Sequence, residues 1–226
     1  MKKEAKQMLW LLKHSFRLEL AEKERALTPL LLAMILFLLF FFASEDLSLA
    51  AKERAFIYQL YLVGVIVLQG LLVRMHAPEE RDEAFSQMVC STLSPIVWFL
   101  TKLFLTIALS LAVILPASIL LLLSYAISPL AICSPILALG LFLSVFGLSC
   151  IGNLLCVLLR KSQGRDLLFP LLYFPLTIPV LLCGTQSSLA AFSPNADAKN
   201  WLLLLLAFDV IYVTLSTLLF EELLKD

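Results

Sequence analysis

Long parts of this chain lack charged side chains. Only 15% of the 226 residues are charged, whereas 61% are hydrophobic. A water-soluble helical bundle needs polar positions that recur every three to four residues, and residues 30–42 and 137–148 have almost none. This lack argues against a soluble globular fold and indicates a membrane protein.

The uncharged stretches are long enough to cross a bilayer. A transmembrane helix needs about 20 apolar residues, because the hydrocarbon core is about 30 Å thick and a helix rises about 1.5 Å per residue. The uncharged part of the third stretch begins at Leu103. We predict one all-α polytopic membrane domain over residues 1–226. Its six transmembrane helices are 27–43, 55–73, 96–123, 135–159, 167–192 and 201–220.

Residues suited to catalysis or metal binding are few. The two histidines, His14 and His76, lie outside the apolar cores and have no HExxH or paired-ligand spacing. A membrane metalloprotease of the EExxxR type starting at Glu79-Glu80 would need arginine at position 84, which is Ala84. Two interpretations of His76 stay open. It is either a metal or haem ligand, or a residue at the cytoplasmic edge that only ends a helix. We predict no enzyme, no catalytic residue and no metal site.

Redox and nucleotide-binding motifs are also missing. The five cysteines form no CxxC pair, so we interpret them as small apolar packing residues. No G-x-x-x-x-G-K-[ST] sequence occurs, so the chain cannot bind ATP through a P-loop itself. The cysteines are Cys90, Cys133, Cys150, Cys156 and Cys183.

Lysine and arginine are distributed unevenly between the predicted spans. The segments before span one, between spans two and three, between spans four and five, and after span six hold 14 of them, with Lys102 counted because it precedes the uncharged part of span three. The remaining segments hold 3. The positive-inside rule therefore places both termini in the cytoplasm.

Residues 3–25 combine a basic face with an apolar face. Lys6, Lys13 and Arg17 fall near one side of a helix, and Leu9, Leu12, Phe16 and Leu20 fall on the other. This pattern predicts an amphipathic helix in the headgroup plane. The alternative is a solvated basic helix that precedes the first span.

Residues 79–94, here called the docking segment, form a second amphipathic pattern. We expect Pro78 to begin a helix whose acidic first turn favours the positive helix terminus. An apolar stripe follows, which suits a groove on a soluble partner; a solvated loop is the alternative. The predicted docking residues are Glu80, Arg81, Glu83, Phe85, Met88, Val89 and Leu93.

Span five contains three prolines, each of which removes a backbone donor. In lipid, an interrupted helix persists only where other groups satisfy the freed carbonyls, and Thr177 is placed to do part of this. The prolines are Pro170, Pro175 and Pro179. The pattern predicts a hinge or a cavity wall, with a static kink as the alternative.

Span six carries one acid, Asp209. A charge near mid-span costs about 2.5–3.5 kcal/mol on insertion scales, so Asp209 should face protein or water, or be protonated. It is a further cavity candidate. A structural hydrogen bond to a neighbouring helix is the other interpretation.

The arrangement of spans and amphipathic helices resembles the permease subunit of ABC-2-type exporters. Three stretches more narrowly resemble the cytochrome c maturation B family, also called haem exporter protein B. They are Phe16–Arg25 followed by Pro29, Glu80–Lys102 with its Leu93-Ser94-Pro95, and Phe174–Leu182, the most specific of the three. Family members often carry an acid where this chain has Ser86-Gln87, and the loop after span five is short here.

The resemblance implies a subunit of the bacterial inner membrane that works with a separate ATP-binding subunit and the maturation C and D proteins. Together they deliver haem to the periplasmic haem chaperone. Haem is then a transported or presented ligand, and the chain itself binds no cofactor. A homodimer within the complex stays open, and nucleic acid is not an expected partner.

Several alternatives stay open at this point. The chain is either the permease of this system, the permease of another ABC-2-type exporter, or a membrane enzyme or scaffold without ATP coupling. If the chain is the permease of this system, it either conducts haem or transmits ATP-driven motion that frees the loaded chaperone.

The predicted topology has a direct test. In a background without the native cysteines, cysteine placed at Ser48 or at Asn195 should react with an impermeant thiol reagent added from outside. Both positions lie in segments that the charge bias assigns to the periplasm. Labelling from the cytoplasmic side alone would reverse the orientation.

Overall fold

Six helices form the described part of the chain. The computed structural model describes residues 23–44, 46–81, 95–125, 134–160, 162, 164–190, 192 and 197–223. The helices are α1 (Lys23–Ala43), α2 (Leu49–Arg81), α3 (Pro95–Ser124), α4 (Pro135–Leu158), α5 (Arg165–Leu189) and α6 (Ala198–Leu223). The all-α prediction is confirmed for these residues.

Five of these helices, α2 to α6, are long and apolar enough to cross a membrane. The apolar part of α1, Thr28–Ala43, is shorter than the others. Helices long and apolar enough to span a membrane are therefore confirmed for five of the six predicted spans. Spanning by α1 stays a prediction.

Helix α2 is longer than the predicted span 55–73. It includes Lys52 and Arg54 at its start and continues through Pro78 to Arg81. The prediction that Pro78 begins a new helix was therefore wrong. Charged residues do not interrupt α2, because a helix satisfies its own backbone hydrogen bonds and long basic side chains can extend toward water.

The predicted interfacial helix 3–25 is described only at its end. Lys23 and Arg25 belong to α1, so the last residues assigned to the interfacial helix are part of the first bundle helix. Residues 1–22 lie outside the described residues, and the interfacial helix stays a prediction there.

Helix α4 is the central helix of the bundle. It packs against α2, α3, α5 and α6, whereas α1 packs against α2 and α3. Of the most apolar stretch of α4, 72% is buried inside the bundle, compared with 22% for α6. Short connections make successive helices antiparallel. Arg74, Lys102, Arg160 and Arg165 consequently lie toward the end where α2 and α4 finish, which we call the basic end.

At the opposite end, small residues let α5 approach α2 and α4. A Cβ on Gly184 of α5 would lie 2.6 Å from Tyr61 Cε1 and would overlap Ser144 Oγ. The hydroxyls of Tyr61 and Ser188 are 2.7 Å apart and form a hydrogen bond between α2 and α5. Helices in lipid lack a hydrophobic driving force for association. Small residues at such contacts permit close van der Waals packing, which takes its place.

A second group of polar side chains at this end holds α1 and α3 to α2. Gln59 of α2 donates to Ser44 Oγ at 3.1 Å and accepts from the Tyr125 hydroxyl at 2.8 Å. Buried polar groups in a bundle need such partners because lipid supplies none.

The interpretation of the cysteines is confirmed for the three that the structure describes. They are buried and free, without disulfide bonds: Cys150, Cys156 and Cys183. Cys90 and Cys133 lie outside the described residues.

The close approach of α5 yields a stability prediction. Replacing Gly184 by Ala should destabilise the bundle by about 1–3 kcal/mol, the usual cost of overpacking, because the added methyl overlaps Ser144 and Tyr61. Thermal unfolding of the purified protein in detergent measures this.

Gly70→Ala is the matched control, because a Cβ there has no atom within 4 Å. It adds the same methyl group to a transmembrane helix without a clash. Equal stability of the two variants would contradict the proposed tight contact between α5 and its neighbours.

Candidate functional site

A buried group of polar and aromatic side chains joins α2, α3 and α4 near the basic end. We call it the polar cluster. All five side chains are less than one tenth exposed. The cluster consists of His76 on α2, Trp98, Lys102 and Thr106 on α3, and Asn153 on α4.

The side-chain amide of Asn153 links the three helices. Its Nδ2 donates to the carbonyl of Ser149 at 2.8 Å and to Thr106 Oγ1 at 3.2 Å. Its Oδ1 lies 3.0 Å from His76 Nε2. Because Oδ1 carries no hydrogen, it accepts and His76 Nε2 donates, which places a hydrogen on that ring nitrogen.

The Thr106 hydroxyl fits the same pattern. It donates to the carbonyl of Lys102 at 2.8 Å, one helical turn earlier, and therefore accepts from Asn153. Met75 Sδ lies 3.7 Å from the same hydroxyl. The Thr106 hydroxyl thus acts once as a donor and once as an acceptor, and it connects Asn153 to the backbone of α3.

Lys102 provides the charge in the cluster. Its Nζ donates to the carbonyl of Met75 at 3.4 Å, across the contact between α3 and α2. The same ammonium lies 5.7 Å from the centre of the Trp98 ring, and the His76 and Trp98 rings meet edge to face at 5.9 Å. A cation over an aromatic face is stabilised by about 0.5–2 kcal/mol.

The cluster changes the interpretation of His76. The residue does not end a helix, since α2 continues five positions further to Arg81. One ring nitrogen is engaged by Asn153, and the described residues contain no group of three or more His, Cys, Asp or Glu that could hold a metal ion. His76 makes a buried contact between α2 and α4 through Nε2, and a role as a haem ligand is not tested by this geometry.

The arrangement is suited to transmit force. The docking segment connects α2 to α3, and these two helices are bonded to each other by Lys102 and to α4 by Asn153. Displacement of α2 or α3 at this end must therefore move the helices bonded to it or break buried hydrogen bonds.

The predicted docking residues themselves are only partly described. Glu80 and Arg81 form the last turn of α2, and nothing is described of their side chains. The others lie outside the described residues: Glu83, Phe85, Met88, Val89 and Leu93. Their role in docking stays a prediction.

Helix α5 is continuous despite its three prolines. Thr177 is fully buried and donates to the carbonyl of Phe174 at 2.8 Å. Pro175 and Pro179 instead free the carbonyls of Leu171 and Pro175, four residues earlier. Thr177 therefore does not replace a donor that a proline removes, contrary to our expectation.

Pro175 and Thr177 lie on different faces of α5. Pro175 is exposed on the outer surface, whereas Thr177 faces the bundle. Tyr212 of α6 donates to the carbonyl of Leu176 at 2.6 Å and so holds α6 against this part of α5. A hinge at Pro175 and Pro179 stays a prediction.

Asp209 lies where α4, α5 and α6 meet. The residue is buried, and a Cβ on Gly147 of α4 would overlap its Oδ1 and lie 3.6 Å from Val180 of α5. Neither carboxyl oxygen has a hydrogen-bond partner in the part of the chain that the structure describes. The interpretation that Asp209 bonds to a neighbouring helix is thus not supported there.

Sequence reasoning missed Asn153 and Thr106. Asn153 is the only asparagine within a predicted span, and a side-chain amide in lipid is expected to bond across helices. That signal was available. The partners of Asn153 were not predictable, because they lie on other helices. Which face each helix turns toward its neighbours depends on packing in the folded bundle.

A model of the CcmB protein family matches residues 6–225, nearly the whole chain. A search of curated proteins found no match. Five apolar helices agree with a multi-pass protein of the inner membrane. The chain therefore belongs to the CcmB family and is a haem-exporter permease component of cytochrome c maturation, not itself an enzyme.

Proposed function

We propose that this chain couples ATP hydrolysis in a separate subunit to a movement of its transmembrane helices. The ATP-binding subunit docks on residues 79–94 at the cytoplasmic face. The movement serves haem export or the release of the haem-loaded periplasmic chaperone, in a complex with the maturation C and D proteins.

The polar cluster is the observation that carries this proposal. The docking segment is attached at both ends to helices that are bonded to each other through Lys102 and Met75. Asn153 extends this connection to the central helix α4, which contacts four other helices. A partner that moves the docking segment can therefore move most of the bundle.

Two grooves in the described part of the chain do not suit a path for haem. Haem propionates are anionic and favour a cation in their path. One groove, of about 460 Å³ between α1 and α3, is lined by apolar residues. Another, between α3, α4 and α6, contains the acid Asp209. Neither groove offers a cation to a propionate.

Docking can be tested by placing charge on the apolar stripe. Replacing Phe85 and Met88 together by Asp should release the ATP-binding subunit, because the contact would bury unpaired charge. Copurification of that subunit with the tagged permease should fall about tenfold or more, and cytochrome c should fall with it.

The matched control places the same two charges on the opposite side of the predicted helix, with Gln87→Asp and Ser91→Asp. Membrane levels of both variants are measured to exclude failed insertion. Undiminished copurification with the Phe85 and Met88 variant would contradict docking through this stripe.

The connection to α4 predicts a separate phenotype. Asn153→Ala removes the contacts to His76 and Thr106 and should destabilise the bundle by about 1–3 kcal/mol. The ATP-binding subunit should still copurify and hydrolyse ATP, whereas cytochrome c maturation should fall several-fold.

Asn200→Ala, an identical substitution at an exposed position on α6, is the control. Normal maturation in the Asn153 variant would show that the cluster does not transmit force. Loss of copurification of the ATP-binding subunit would instead show that the polar cluster acts only in assembly of the complex.

A further inference from the structure

Two serine hydroxyls in the interior of the bundle are buried and unpaired. Ser110 lies on α3 and Ser149 on α4, and both residues are completely buried. Neither hydroxyl has a hydrogen-bond partner among the described residues. Most buried polar side chains in native proteins are hydrogen-bonded, so these two hydroxyls require an explanation.

The two serines lie at the same level of neighbouring helices. Helices α3 and α4 pack against each other, and Asn153 of α4 donates to Thr106 of α3 at 3.2 Å. Ser110 follows Thr106 by four residues, and Ser149 precedes Asn153 by four residues. Because α3 and α4 are antiparallel, the serine pair lies one turn beyond the bonded pair, on the same two helix faces.

Other buried serines of the bundle satisfy their hydroxyls within their own helix. Ser118 donates to the carbonyl of Leu115 and Ser144 to that of Gly140, both at 2.8 Å. Ser110 and Ser149 make no such bond. A water molecule does not replace it, because protein atoms enclose both hydroxyl oxygens and leave no water-sized space beside them.

A groove separates parts of α3 and α4 next to the serine pair. It has a volume of about 540 Å³, is formed by α3, α4 and α6, and is here called the lateral groove. Ile107 of α3 and Phe146 of α4 line it, and each lies three residues, about one turn, from one of the two serines. The groove leaves space for α3 and α4 to approach each other at this level.

Helix α3 is attached at both ends and weakened between them. At the basic end Lys102 bonds to α2 at 3.4 Å, and directly after the other end the Tyr125 hydroxyl bonds to α2 at 2.8 Å. Between these contacts, Pro116 removes the backbone hydrogen bond to the carbonyl of Ala112, two residues from Ser110. Helices bend at such positions, so α3 can change its curvature near Ser110 while its ends stay attached.

We propose that α3 bends toward α4 in a second conformation, in which the Ser110 and Ser149 hydroxyls bond to each other and the lateral groove narrows. One hydroxyl donates and the other accepts, so a single bond satisfies both. The bond between Thr106 and Asn153 persists and acts as the pivot. The proposal rests on the proposed function only in that movement of the docking segment drives the change.

The two hydroxyls are tested by Ser110→Ala and Ser149→Ala. Because each hydroxyl is unpaired in the described conformation, neither substitution should lower the temperature of thermal unfolding of the purified chain. Cytochrome c maturation should fall about fivefold, as expected from loss of one hydrogen bond in the second conformation. The double variant should fall no further than either single variant, because all three lack the same bond.

Ser118→Ala is the matched control, because it is the same substitution at a buried position of α3 whose hydroxyl is already paired with the backbone. It should leave maturation unchanged. Membrane levels of all variants are measured to exclude failed insertion.

The two conformations are observed directly with spin labels on cysteines at Leu115 of α3 and Phe142 of α4, in a background without the native cysteines. Both side chains are exposed on the outer surface and lie at similar levels. Double electron–electron resonance should show two distances, and Ser110→Ala should deplete the shorter one about fivefold. ATP added to the complex with the ATP-binding subunit should shift the ratio of the two distances.

Three results would overturn the proposal: one distance that Ser110→Ala leaves unchanged, a lower unfolding temperature in both Ala variants, or additive losses of maturation. Two distances that respond to Ser110→Ala but not to ATP would support the second conformation and contradict the proposed coupling to ATP hydrolysis instead.

Discussion

The side-chain amide of Asn153 is the contact on which the basic end of the bundle depends. Lipid offers no alternative hydrogen-bond partner, so the amide must be satisfied by protein. It bonds to His76 on α2, to Thr106 on α3 and to the backbone of its own helix. Separation of any of the three helices leaves a buried polar group unpaired, which costs about 1–3 kcal/mol.

The two ends of α2 are held by different interactions. At the basic end His76 bonds to α4, and nearer the opposite end Tyr61 bonds to Ser188 of α5, where Gly184 permits close packing. Helix α2 is thus attached to two neighbours about four turns apart. In the proposed mechanism, movement at its basic end is transferred along a continuous helix to α5, whose prolines weaken its own backbone hydrogen bonding.

Much of the fold was predictable from the sequence, whereas the polar cluster was not. Helix α4 was predicted within one residue, because Pro135 marks its start and Arg160 follows its end. The length of α2 was underestimated, because the charged residues at its two ends were taken to end the helix. They end only its apolar part. Lys102 was counted as a charge near the membrane edge, yet it is buried, since the carbonyl of Met75 and the Trp98 ring come from residues whose proximity requires the folded bundle.

Lys102 and Asp209 show how depth in the membrane decides the fate of a buried charge. Lys102 lies near the basic end and finds a carbonyl and an aromatic ring within its own chain. Asp209 lies at mid-span, where helix backbones use their own carbonyls and amides and leave no donor for a carboxylate. Glycine at position 147 provides the space for that carboxyl without providing a partner.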